Sequence, residues 1–150
     1  MIEHLLAHGF DPGPSQRPRT AGFIAAGACA PIALFVFART GALTSAPTVA
    51  LAAIVLVFEG VLYGHVFRRA ANDRRGGWMF GMAFGFAVWT AATVLSRAAH
   101  AHLVGVAAMG LFGGFLLHGA IVGLAFPWVH ALVKRRTPRV EHHGVPFNEG

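Results

Sequence analysis

Four long apolar runs, separated by short polar segments, organise this chain. They extend from Thr20 to Ala38, Pro47 to Phe67, Trp78 to Ser96 and Leu103 to Val133. At about 1.5 Å of rise per residue, the first three match a hydrocarbon core of about 30 Å when coiled as helices. The fourth exceeds one crossing: it is expected to leave the bilayer near Pro127 or to continue past the headgroups as a helix, with a kink at Pro127. The pattern predicts an all-α integral membrane protein with four transmembrane helices over residues 20–136. A tail of residues 1–19 precedes them and a polar tail of residues 137–150 follows.

Composition strengthens this reading. The chain of 150 residues is 55% hydrophobic and 12% charged, with a mean hydropathy of +0.59. A soluble domain of this length could not hide so much apolar surface, so lipid is the expected solvent for most of it. Charge then orients the spans. Of the twelve basic residues, only Arg39 and Arg97 flank the first and third spans on one side. Arg17, Arg19, Arg68, Arg69, Arg74, Arg75, Lys134, Arg135, Arg136 and Arg139 all fall on the other. The positive-inside rule places those ten, and with them both termini, in the cytoplasm of a bacterial inner membrane. The sequence pI of about 11.4 therefore points to anionic headgroups rather than to nucleic acid. Residues 1–10 carry Glu3 and no basic segment, so no cleavable secretory signal is expected. Cys29, the single cysteine, lies within the first run and suits packing.

Within the second run Glu59 stands alone as an acid, and 59 residues later the fourth run has His118. The segment Glu59 to Phe67 reads onto His118 to Phe126, matching Gly60 with Gly119, Gly64 with Gly123 and Phe67 with Phe126. The same offset takes Gly22 to Gly81 and Ala26 to Gly85. The chain therefore reads as two weakly repeated helical hairpins. A parallel repeat would set Glu59 and His118 at similar depth. A bonded pair there would be polar glue between helices, a proton relay, or an ion site. Tyr63 and His65 extend the polar stripe.

Small residues recur at the four-residue spacing that lets helix backbones approach in lipid. The stripes are Gly60–Gly64, Gly77–Gly81–Gly85, Gly110–Gly114 and Gly119–Gly123. Intramolecular packing is the simplest use of them, and their number invites a partner subunit as well. At such positions a leucine should disrupt assembly and an alanine should be tolerated better. Trp78 and Trp128 sit where an interfacial aromatic belt belongs, and Trp89 lies mid-span.

Chemistry beyond the pair is sparse. His100 with His102 and His142 with His143 resemble metal-ligand pairs, but they lie on opposite sides of the membrane, so no metal site is expected. A neutral His118 could ligate a tetrapyrrole, either haem or bacteriochlorophyll. Gly114, one turn before His118, and Gly119 after it would clear room for the ring. This small-xxx-His pattern resembles the pigment-binding motif of bacterial light-harvesting polypeptides. No phosphate-binding loop, nucleophile elbow, His-Glu-x-x-His or Cys-x-x-Cys occurs. The sequence therefore favours an accessory or scaffold subunit of a larger membrane complex, respiratory or photosynthetic, in contact with lipid and other integral membrane subunits. A small homo-oligomeric transporter or channel using Glu59 and His118 is the alternative, and a pigment- or haem-binding protein the third.

Overall fold

Pro18 suits the first turn of a helix, where its missing N–H would have no partner anyway. Helix α1 spans Pro18–Arg39. It closes at Thr40, whose hydroxyl lies 3.0 Å from the Val36 carbonyl. Gly41 follows with φ at 74°, the left-handed conformation that glycine adopts freely. Ser45 then caps α2 (Ala46–Phe67) in a reciprocal capping box with Thr48. Helix α3 spans Gly77–Ala98 and α4 spans Gly105–Arg135. The computed structural model describes residues 17–68, 71, 73–98 and 105–135, among which there is no strand.

All four helices are long and apolar enough to cross a membrane, the architecture of a multi-pass membrane protein. Helix α4 has 31 residues, about 46 Å at helical rise, well beyond the hydrocarbon thickness of about 30 Å. It does not end at Pro127, which lies inside the helix, just as Pro31 lies inside α1. In both cases the residue four positions earlier, whose carbonyl loses its helical donor to the proline ring, is a glycine: Gly123 and Gly27.

The helices pack in the order α2, α1, α4, α3, with α1 and α4 as the central pair, while α2 touches α3 and α4 only lightly. Side-chain size explains this. The inner face of α1 carries Ala21, Ala25, Ala26, Cys29, Ala30 and Ala33, all buried, which lets α4 approach closely. Fifty-nine residues on, α3 carries Phe80, Phe84, Gly85, Val88, Trp89 and Ala92. Its rings hold α2 away. At one end of the bundle the gap is bridged by aromatic contacts, Phe67 meeting Phe80 and Phe84 at centroid distances of 5.6 and 5.7 Å. At the other end α2 and α3 part to leave a cleft.

Backbone-to-backbone crossings tie each hairpin. A methyl on Gly22 would overlap the Gly60 carbonyl, and one on Gly64 would overlap that of Pro18. A methyl on Gly81 would likewise overlap the Gly119 carbonyl, and one on Gly123 that of Gly77. The second pair of crossings lies 59 residues beyond the first. Gly85 abuts the Phe115 carbonyl, Gly110 abuts Thr40 and Gly114 the Phe37 ring. One expectation changes. All nine stripe glycines are occupied by their own chain, so they carry no argument for a partner. Alanine at Gly81 or Gly119, moreover, carries a cost of its own, because its methyl meets a backbone carbonyl rather than a side chain that can move.

Candidate functional site

Glu59 and His118 each precede a crossing glycine, Gly60 on α2 and Gly119 on α4. The close crossings turn both side chains inward, leaving them 2% and 1% exposed. His118 Nδ1 lies 2.9 Å from Glu59 Oε2, and His118 Nε2 lies 3.3 Å from the Ala26 carbonyl oxygen of α1. One imidazole thus joins three helices from both hairpins.

The bonding pattern sets the proton count. A carbonyl only accepts, so Nε2 carries a hydrogen toward Ala26. A single proton then lies between Nδ1 and Oε2. The pair is either imidazolium with carboxylate or imidazole with carboxylic acid, and its net charge is zero both ways. That neutrality lowers the cost of placing two ionisable groups at membrane depth, where an unpaired charge is severely penalised. Glu59 Oε1 has no hydrogen-bond partner among the described residues. It faces Gly85, where a Cβ would stand 3.4 Å from it.

Apolar layers close the pair on both sides. Tyr63, Val122 and Phe126 belong to the core cluster on one side, and Phe37, Leu56 and Phe115 to the cluster on the other. The polar stripe expected to continue from Glu59 is spent elsewhere. Tyr63 donates its hydroxyl to the Gly77 carbonyl at 3.0 Å, fastening α2 to the start of α3. Arg19 Nε donates to His65 Nδ1 at 3.4 Å in an exposed position. His130 is buried, with its ring parallel to that of Phe126. The arrangement can share one proton, but no chain of described polar side chains leads away from it.

The tetrapyrrole reading of His118 meets two obstacles. Both ring nitrogens are engaged, so ligation would break a bond to Glu59 or to Ala26. The room expected beside Gly114 and Gly119 holds the Phe37 ring and the Gly81 backbone. As to metals, no group of three or more His, Cys, Asp or Glu side chains gathers among the described residues. His100, His102, His142 and His143 lie outside those residues.

Two members of this region are invisible to side-chain reasoning. The Ala26 carbonyl and the Gly77 carbonyl are backbone acceptors, and nothing in their residue types marks them. Comparison with known proteins finds no matching family model, no matching curated protein and no matching solved structure.

Proposed function

We propose that this chain is a non-catalytic accessory subunit of a larger bacterial inner-membrane assembly, with other integral membrane subunits as its partners. One observation carries the reading: α3 buries only Gly77, Gly81 and Gly85. Beside that glycine edge Phe84, Val88 and Trp89 are only partly buried, and the helix presents Met79, Met82, Val94 and Leu95 outward. A helix so attached is a broad flat face offered to a neighbour. The closed Glu59–His118 pair supports a structural role for the interior, acting as polar glue rather than lining a path. The 59-residue recurrence of the glycine crossings supports two related hairpins, and the distribution of arginines supports cytoplasmic termini.

A photoactivatable residue at Met82 or Leu95 tests the proposal in whole cells, with one at Phe23, an exposed α1 position, as control. The α3 probes should link this chain to a different membrane protein that also co-purifies at constant ratio in mild detergent. Links only to second copies of this chain would overturn the accessory reading in favour of the homo-oligomer.

A further inference from the structure

The parting of α2 from α3 leaves a cavity of about 450 Å³, within the range of about 300–1,000 Å³ usual for small-ligand sites. Its chemistry is graded along its length. Phe37, Val55, Trp89 and Phe115 line the deep part, whereas Thr93, Ser96 and Arg97 line the part nearest the end of α3. Thr48, near the start of α2, stands on the facing wall at the same end.

Arg97 is exposed at that mouth. No carboxylate serves it among the described residues, whose only acids are Glu59, bonded to His118, and Asp73, at the opposite end of the bundle. A ligand suited to this cleft needs an anionic, hydrogen-bond-accepting head and a long apolar body. A soluble anion would leave the aromatic depth unfilled, and a neutral lipid would leave the guanidinium unmatched.

We infer that the cleft between α2 and α3 is a binding site for an anionic phospholipid. Its phosphate sits at Arg97 beside Thr93, since the Thr48 and Ser96 hydroxyls already donate to the Ser45 and Thr93 carbonyls, and one acyl chain runs down past Trp89 to Phe37 and Phe115. The lipid fills the side of the bundle where protein contacts between the hairpins are sparsest. It acts there as the counterpart of the tight α1–α4 contact opposite.

Trp89 reports on its own site. With Trp78→Phe and Trp128→Phe it becomes the only tryptophan of the three. The protein is reconstituted into phosphatidylcholine vesicles doped with phosphatidylglycerol brominated on its acyl chains, or with brominated phosphatidylcholine at the same mole fraction. Half-maximal quenching of Trp89 should need about fivefold less of the anionic lipid, the advantage that one basic residue near a membrane surface confers. Arg97→Gln should abolish that preference, and so should Ala92→Phe, which fills the cleft. Arg39→Gln, removing the basic residue at the same end that does not line the cleft, should preserve it. Equal quenching by both lipids, or a preference that survives Arg97→Gln, would overturn the site. Loss with Arg39→Gln as well would assign the effect to diffuse charge and overturn it too. If Ala92→Phe fails to assemble, Arg97→Gln decides alone, since that side chain is exposed.

Discussion

A carboxyl group and an imidazole can be buried at membrane depth here because each supplies what the other lacks, and a helix carbonyl satisfies the remaining nitrogen. Removing one partner should therefore cost more than the lost bond, since the survivor is left polar and dry. In a double-mutant cycle of Glu59→Leu and His118→Leu, read from unfolding in mixed micelles, the coupling should be about 0.5–2 kcal/mol, as for residues in direct contact. Glu59→Gln is the informative conservative change. Its amide can donate to Nδ1 and reproduce the neutral form of the pair, so its loss should stay within about 1 kcal/mol. A loss as large as that of Glu59→Leu would mean the interior requires the ionised form. The two side chains were legible in the sequence, because an isolated polar residue in an apolar run is conspicuous and the 59-residue offset linked them. Their third partner was not, since one helix carbonyl looks like any other until the helices are placed.

Glycine plays two different parts among these elements. Gly119 lies where a Cβ would strike the Gly81 carbonyl, whereas Gly113 faces open space. Gly119→Ala must therefore push α3 and α4 apart and should destabilise by about 1–3 kcal/mol, the range for overpacking a filled site. Gly113→Ala should be neutral or stabilise by up to about 1 kcal/mol through lost backbone freedom in the unfolded chain. Thermal melts in one detergent distinguish the two, and equal behaviour would remove close backbone packing as the role of Gly119. The existence of four helices follows from run length alone. Which helices meet does not. It depends on the exchange of alanines on α1 for phenylalanines and tryptophan at the corresponding positions of α3, a difference of volume that hydropathy ignores. Pro127 does not interrupt the fourth helix, since a helix continues through a proline when its flanks can pack, and α4 packs along both α1 and α3.

At the scale of the whole molecule, the antiparallel order of the helices brings the starts of α1 and α3 and the ends of α2 and α4 to one end of the bundle. Arg17, Arg19, Arg68, Arg74 and Arg75 gather there. Arg74 places its guanidinium 4.6 Å above the Trp128 ring, joining the segment before α3 to the last turns of α4 at the level where aromatic belts form. Arg39 and Arg97 remain at the other end. If the arginine-rich end is cytoplasmic, a cysteine there should be shielded in sealed cells. In a Cys29→Ala background, Thr44→Cys lies between α1 and α2 at the end that Arg39 shares, and Arg75→Cys lies just before α3; both positions are exposed. An impermeant thiol reagent should label Thr44→Cys in intact cells and Arg75→Cys only after permeabilisation. The reverse pattern would invert the orientation. It would also turn the Arg97 mouth of the lipid cleft toward the cytoplasmic leaflet, where anionic headgroups concentrate, so this one experiment fixes which leaflet would supply the lipid.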